Sequence, residues 1–531
     1  MAEKKKRERQ PIPIIDLFAG PGGLGEGFMS VTTPLRERRF KIALSIEKEE
    51  FAHQTLTLRS FVRQFRQKDI PDDYYRFLTG EITQEHLYSL YPDQLANAKH
   101  EAWKTTLGKD TPHNELDERI VNALGGKTNW VLIGGPPCQA YSIVGRARRK
   151  EKQLDPDDER VYLYREYYRI LAAHNPPVFV MENVKGLLSS KVNDDSIFRL
   201  IIEDLEDPVL AFNKLNRTSK NNFICPGYDI YSFVKKPLSL EISGRPVYET
   251  GDFIIKSEDY GIPQTRHRLI LFGVRKDLGL RPDKILIKQK KLIPISKVLD
   301  GLPSLRSGLS RGEDTKSIWK ETLEYFTANG ILSDCEKMVR DKINKTVKNL
   351  RLPQRDRGSR YIEYFPFVTY NAKWYIDKKL KGICNHESRG HIEYDLYRYM
   401  FVSCFAKIHK RSPVMSEFPK ALLPAHENVK EAIDENKFSD RFRVQLSNQP
   451  AKTITSHISK DGHYYIHHDP AQCRSLTVRE AARIQTFPDN YFFCGPRTAQ
   501  YEQVGNAVPP FLAFQIARIV SVFFERIENL I

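Results

Sequence analysis

Cysteine is scarce in this chain: seven among 531 residues, an odd number, with no CxxC pair. That argues against a disulfide framework and points to a reducing compartment. No apolar run reads as long enough to span a bilayer, and no secretory signal pattern is present, so a soluble, cytoplasmic protein with no membrane partner is expected. Internal repeats and low-complexity tracts are also missing, which excludes solenoids and arrays. Acidic residues are in deficit, 67 Asp+Glu against 83 Lys+Arg, a net charge of +16. A surplus of this size points to a polyanionic partner, most simply nucleic acid. The length exceeds one ordinary core, so two or three domains are expected. The Lys4-Lys5-Lys6-Arg7 cluster reads as a frayed, solvated tail.

What is present is organised around Gly134-Gly135-Pro136-Pro137-Cys138-Gln139. The apolar run Val131-Leu132-Ile133 reads as a buried parallel strand, and the glycines and prolines stop it. Cys138 is thereby presented beyond a strand end, where open α/β sheets bind ligands. A thiol there is a candidate nucleophile; a small buried apolar residue is the alternative.

Taken in order, Ile12 to Phe18 reads as a strand, followed by a glycine-rich turn, Ala19-Gly20-Pro21-Gly22-Gly23-Leu24-Gly25, and a helix carrying Phe28. Strand, glycine turn and helix form the nucleotide-cofactor pattern. A second strand, Ile42 to Ile46, ends in Glu47, where an acid binds a ribose hydroxyl pair. Phe51 to Phe65 has helical apolar spacing. Gly80-Glu81-Ile82-Thr83-Gln84 ends a third strand or its loop, and residues 85–128 read as an insertion on the sheet, with one amphipathic helix through Leu116, Ile120, Val121 and Leu124. Arg146, Arg148, Arg149 and Lys150 follow Cys138 as a basic loop. A helix carries Tyr162, Leu163, Tyr167, Ile170 and Leu171. The strand Val178 to Met181 ends in Glu182-Asn183-Val184, another acid at a strand's carboxyl end. Residues 252–256 and 269–274 read as a hairpin-like pair around QTRHR, with Arg266 and Arg268 alternating.

From about Ser304 to Ile466 no βα pattern repeats, and Arg, Lys, Tyr and Phe are frequent. Cys384, His386, His391 and Cys404 have imperfect zinc-like spacing, and His463, His467 and His468 fall in HYYIHH. The first set contains no CxxC or HxxxH arrangement and the second only the single spacing His463 to His467, and no metal is assigned to them. Near the end, Ser475 to Glu480 reads as a capping segment into a helix, and QVGNAVPP as a turn before a closing helix from Phe511 to Phe524.

DLFAGPGGLGEGF, Glu47, GEITQ, GGPPCQAYS, MENV, QTRHR, LTVREAARIQTFP and QVGNAVPP occur in this order. Together they resemble the DNA (cytosine-5) methyltransferase family, in its prokaryotic modification-methylase form. The resemblance implies a Rossmann-like α/β methyltransferase sheet with a separate, mixed target-recognition domain. Its divisions would be a catalytic domain over 11–300 with the 85–128 insertion, recognition over 301–468, and a return to the catalytic domain over 469–531. It implies S-adenosylmethionine as cofactor, held by Asp16, Phe18, Ala19, Gly20, Gly22, Gly23 and Leu24. Glu47 would bind the ribose and Glu81 and Ile82 would flank the adenine, although the family usually has Asp where Glu81 stands. Pro136, Leu163, Asn506 and Ala507 would complete the pocket. Cys138 would be the nucleophile, with Glu182, Arg266 and Arg268 around the target base. Arg479 and Gln485 would tie the recognition domain to the catalytic one. The partner implied is double-stranded DNA, in a nucleoid-associated monomer, with a restriction endonuclease acting on the same site.

This chemistry needs these residue types. Thiolate addition to carbon 6 of cytosine makes carbon 5 nucleophilic, and an acid facing N3 with a cation facing the carbonyl oxygen stabilises the ring charge. The reacting atoms lie inside a duplex, so the base must be flipped out. Three rivals are a tRNA cytosine-5 methyltransferase, a catalytically silent DNA-binding homologue, and a generic Rossmann oxidoreductase. The large middle region argues against the first, intact Cys138, Glu182 and Arg268 against the second, and the carboxy-terminal motifs against the third.

Overall fold

A computed structural model of the chain describes residues 10–136, 159–188, 191–192, 195–215, 222–424 and 441–529. Its centre is an eight-stranded sheet. The strands are β1 (Ile12–Leu17), β2 (Phe40–Glu47), β3 (Ala102–Lys104), β4 (Val131–Gly134), β5 (Val178–Val184), β6 (Tyr228–Ser232), β7 (Ile254–Lys256) and β8 (His267–Arg275). The order is β7-β8-β5-β4-β1-β2-β3, with β6 also paired to β8. β1 to β5 run parallel; β8 is antiparallel to β5, β6 and β7.

Alternation within the buried runs divides the core into two layers, as period-2 side chains must. Ile14, Val131, Ile133, Val178 and Val180 face one side, under α1 (Gly23–Met29) and the closing helix Pro510–Glu528. Ile15, Leu17, Leu132, Phe179 and Met181 face the other, under the helices His113–Leu124 and Glu159–His174. The closing stretch Arg497–Glu528 is long and apolar enough to cross a membrane by length and composition, contrary to the sequence reading; here it is mostly buried as a core element.

Two sequence expectations are corrected. Gly80 to Gln84 is neither strand nor sheet loop: Gly80 caps the helix Asp72–Thr79 in the left-handed conformation, and Thr83 caps the next helix by accepting from the His86 N–H. The third strand is β3, inside the supposed 85–128 insertion, where Ser45, Ile46 and Glu47 pair with Ala102, Trp103 and Lys104. That segment is therefore part of the sheet. The middle region also departs from one self-contained block. Side chains between Leu309 and Cys473, mostly from the helices Lys316–Ala328, Lys337–Lys348 and Glu393–His409, form one cluster. Val368, Tyr375, Ile383, Ala451, Ile454, Ile458 and Tyr465 instead pack with Leu476 to Ala507.

The four zinc-like residues part company. Cys384 is buried among apolar side chains, and His386 bridges Thr477 Oγ1 (2.8 Å) and the Pro303 carbonyl (3.1 Å). His391 contacts Tyr399 and Ser475, and Cys404 lies against Thr346 and Met400. His463 bonds Tyr399, while His467 and His468 stack on each other. Among the described residues no group of three or more His, Cys, Asp or Glu side chains converges as a metal site.

Candidate active site

The carboxyl ends of β1, β2, β4 and β5 open into one cavity of about 970 Å³. It brings together Asp16, Phe18, Ala19, Gly20, Leu24, Glu47, Pro136, Leu163, Glu182, Asn506 and Ala507, residues far apart in sequence. Phe18 and Gly20 turn the chain out of β1 with φ of 56° at each. A left-handed phenylalanine is strained, as backbone at functional sites often is. The Gly20 N–H donates to Glu47 Oε2 at 2.7 Å and the Glu49 N–H to Oε1 at 2.8 Å. The Glu47 carboxylate is thus fixed between the glycine turn and its own strand end. Burial pushes its carboxyl up, while those backbone N–H groups oppose the shift.

Gly22 and Gly23 do not line the cavity; they let the turn pack from behind. Gly22 is left-handed (φ 90°), and a Cβ there would lie 2.9 Å from Leu56 Cδ1; one on Gly23 would meet the Val508 carbonyl at 2.4 Å. Tyr491 anchors the same turn by donating its hydroxyl to the Pro21 carbonyl. The two glycines before Pro136 have equally tight neighbours. A Cβ on Gly134 would strike the Leu17 carbonyl at 2.1 Å, and one on Gly135 the Glu182 carbonyl at 2.3 Å. Asn183 Nδ2 donates to the Pro136 carbonyl at 3.1 Å. The chain up to Pro136 is therefore held by the end of β5. Cys138 itself and the basic residues Arg146 to Lys150 lie outside the described residues.

Glu182 pairs with Arg268, Oε1 to Nε at 3.0 Å, near the mouth of β5. Arg266 does something else. It is 1 % exposed and donates to the Ile454 carbonyl at 2.6 Å, and burial followed by the charge of Arg268 pulls its guanidinium down to about 9. Its guanidinium joins the sheet to the 451–460 segment. Gln264 completes that joint: its Nε2 donates to Gln485 Oε1 at 2.5 Å, and its Oε1 accepts from the Ile454 N–H at 3.1 Å. Arg479 donates to the carbonyls of Cys384, Pro488 and Tyr491.

Glu81 and Ile82 are absent from the cavity. Glu81 is exposed and bonds Arg76 and Thr79; Ile82 lines a separate cleft with Phe77, Arg360 and Phe492. The physical reason is the displaced third strand: Thr105, Thr106 and Leu107, directly after β3, occupy that side of the cavity. Sequence reasoning also missed Ser456, His457, Ser459 and Lys460, which form another wall. A Cβ on Gly505 would sit 2.3 Å from Ser456 N and Thr455 C, so the glycine of QVGNAVPP was the one available signal of a close backbone approach.

The residues fit an adenosyl cofactor in volume and chemistry: a glycine turn exposing backbone, a fixed carboxylate for hydroxyl donors, and apolar surface from Phe18, Leu24 and Leu163. Comparison with known proteins points the same way. Residues 96–208 and 240–521 match the family described as C-5 cytosine-specific DNA methylase. The chain is 32% identical to the type II methyltransferase M.Bpa9945I of Bacillus paralicheniformis, over 96% of this chain and 98% of that one. It is 25% identical to the type II methyltransferase M.DdeI of Desulfomicrobium norvegicum, over 97% and 90%. With the fold, the strand-end cavity and these likenesses in hand, the chain belongs to the C-5 cytosine-specific DNA methylase family and is a DNA (cytosine-5-)-methyltransferase.

Proposed function

We propose that the chain transfers a methyl group from S-adenosylmethionine to carbon 5 of a cytosine flipped out of a specific duplex DNA sequence. It acts as a monomeric, cytoplasmic modification enzyme of a restriction–modification system, alongside an endonuclease that reads the same site. The observation that supports this most is one cavity that holds the glycine turn and Glu47 together with Glu182.

In this reading Asp16, Phe18 to Gly20, Leu24, Glu47, Leu163, Asn506 and Ala507 hold the cofactor, with Thr105 to Leu107 taking the place first expected of Glu81 and Ile82. When bound, S-adenosylmethionine supplies an electrophilic methyl group. The Cys138 thiolate bonds to carbon 6, and the ring electrons move toward N3 and carbon 5. Glu182 gives or shares a proton at N3, and Arg268, already paired to Glu182, faces the carbonyl oxygen. Carbon 5 then takes the methyl, loses its proton to a base, and the electrons of the carbon 5–hydrogen bond expel the cysteine from carbon 6. A free cysteine has a pKa of about 8.5 and is mostly thiol near neutrality, so basic neighbours or the substrate must raise its thiolate fraction. The recognition function is assigned to the region over 301–468, anchored to the sheet through Arg266 and Gln264.

The test uses duplex DNA carrying 5-fluorocytosine. Fluorine cannot leave as a cation, so with S-adenosylmethionine present protein and DNA should stay covalently joined through denaturation. The adduct should map to the peptide containing Cys138. Cys138→Ala should lose both adduct and methyl transfer to background while still binding DNA. Methylation by Cys138→Ala at a comparable rate would end the nucleophile assignment.

A further inference from the structure

The glycine turn of the cavity wall is gripped from behind by a side chain that lines no part of the cavity. Pro21 lines the wall beside Ala19, Gly20 and Leu24, and its carbonyl accepts the Tyr491 hydroxyl. Tyr491 is fully buried. Its ring packs on Phe487 and Phe493, and the Arg59 guanidinium lies 4.8 Å from the ring centroid. Arg59 in turn pairs with Glu26, whose N–H donates to the Gly22 carbonyl at 2.8 Å. The two sides of this grip differ in stiffness. Phe18, Gly20 and Gly22 all have positive φ, and a turn of that kind keeps its shape only where its surroundings impose it. The stretch 488–493 is fixed along its backbone instead. The Tyr491 carbonyl accepts from Arg479 at 2.6 Å, and the Asn490 carbonyl from the Tyr74 hydroxyl at 3.0 Å. The middle region holds it as well: Asp377 accepts from Asn490 Nδ2 at 2.8 Å, the Tyr375 carbonyl accepts from the Asp489 N–H at 2.8 Å, and Asn385 exchanges two bonds with the Phe493 backbone at 3.0 and 3.2 Å. The tyrosine therefore imposes its position on the turn, not the turn on the tyrosine.

We propose that Tyr491 is a positioning residue for the methyl donor: through the Pro21 carbonyl it keeps the Ala19–Gly22 turn in the shape that receives the cofactor, from a frame shared with the middle region. The inference rests on the cofactor reading of the cavity. S-adenosylmethionine and S-adenosylhomocysteine present the same adenosyl and amino-acid parts to the turn, so both gain equally from a turn already in place. Without the hydroxyl the turn relaxes in the free protein, and each ligand must re-form it on binding. The chemical step follows binding and meets the same assembled turn. The cost therefore falls on affinity and not on turnover at saturating donor. Residues over 371–385 serve the cofactor site in this way, although they lie within the stretch assigned to recognition.

The test is Tyr491→Phe in the full chain, which keeps the ring and its packing and removes only the hydroxyl. Titration calorimetry should show both S-adenosylmethionine and S-adenosylhomocysteine bound about fivefold more weakly, the size of one neutral hydrogen bond. In methyl-transfer assays KM for the donor should rise by the same factor, with kcat within about twofold of wild type. Tyr375→Phe is the control. Its hydroxyl is equally buried, donates to the Arg483 carbonyl at 3.1 Å in the same core cluster, and touches neither the turn nor the cavity. It should lower the melting temperature and leave both affinities within about twofold. Wild-type affinity in Tyr491→Phe, or a loss in Tyr375→Phe as large as in Tyr491→Phe, would overturn the proposal; so would a fall in kcat at unchanged KM. If Tyr491→Phe shows no thermal unfolding transition, Asp377→Ala decides, because it removes the middle region's hold on Asn490 and leaves the tyrosine intact. Weaker binding of both ligands is then expected, and unchanged binding overturns the proposal. Wild-type protein that bound neither ligand would overturn the cofactor reading itself, and this inference with it.

Discussion

The sheet region and the middle region hold their parts in place by different means. Between Ile12 and Arg275 position is set by backbone ladders, and the cavity residues sit where strands end. Between Leu309 and Cys473 the core is a cluster of helical side chains, joined to the rest by the apolar packing of residues such as Tyr375, Ile383 and Ile454 on Leu476 to Ala507 and by buried polar groups. Arg474 grips Glu480 with two bonds of 2.7 Å and reaches the Leu305 carbonyl. Arg479 reaches Cys384, His386 reaches Thr477, and Arg266 reaches Ile454. Ladders fix many backbone atoms at once, whereas a few side-chain anchors leave the sequence between them free to vary.

The widest break in this comparison is an exchange. Replacing residues 309–442 with the matching stretch of a relative should switch the methylated sequence outright and leave carbon 5 as the methylated atom. The anchors at Ile454, Arg474 and Arg479 are retained in that exchange. Bisulfite reads of DNA from an expressing host would show it. An unchanged preference would move recognition elsewhere, first to residues 85–128.

Next in size is the anchor itself. Burial alone would raise the Glu480 carboxyl, but the charge and hydrogen bonds of Arg474 hold it well below the usual carboxylate range. Glu480→Gln leaves Arg474 buried and unpaired, a loss of about 3–5 kcal/mol. Urea unfolding should register it as a large drop in midpoint. The sign of the pH effect follows from the depressed pKa. The contribution of Glu480 is complete above the unfolded carboxylate value of about 4.3 and is lost as pH falls through the folded value. The variant's stability should therefore depend less on pH below about 4.3 than the wild type's.

Legibility followed the same division. β1, β2, β4 and β5 were readable because two-sided burial makes nearly continuous apolar runs. The capping box at Thr477 and Glu480 was readable because local chemistry specifies it. β3 was not: it has three residues, Ala-Trp-Lys, without a pattern. The helix Glu393–His409 is buried nearly all round, so it lacks the amphipathic stripe that marks a surface helix. The wall from Ser456 to Lys460 is defined by what packs on it, Gly505 and Arg389 among others, and nothing local announces that. Asp16 was expected from its motif at the cavity it lines, but nothing local announced that its carboxyl oxygens would lack hydrogen-bond partners among the described residues.

Glu47 and Glu81 sharpen the comparison within the sheet region. Both are acids in motif-like stretches, and both were expected at the cofactor. Glu47→Ala removes a fixed, buried acceptor and should weaken S-adenosylmethionine binding by about 1.5–3 kcal/mol in calorimetry, the size of a hydrogen bond to a charged group. An unchanged affinity would take Glu47 out of the site.

Glu81→Ala should do almost nothing, and that is the finest test of where the third strand lies. Glu81 is solvent-exposed on the turn after Gly80, and its partners Arg76 and Thr79 belong to the same surface turn. Exposed pairs of this kind contribute about 0–1 kcal/mol to stability, and no cavity-lining residue depends on this one. Cofactor affinity should stay within about twofold of wild type, since surface changes away from a site stay within about 0.5 kcal/mol. The matching change on the other side of β3, Thr106→Ala, should be larger, because Thr106 lines the cavity while its backbone N–H is held by Asp110 Oδ2 at 3.0 Å. If Glu81→Ala instead weakened binding as much as Glu47→Ala, the GEITQ turn would have to move to the cofactor, and the pairing of Ser45–Glu47 with Ala102–Lys104 would have to give way in the working enzyme. Equal silence at Glu81 and Thr106 would place the adenine against neither segment and leave the fixed carboxylate of Glu47 as the principal polar contact on that side of the cavity.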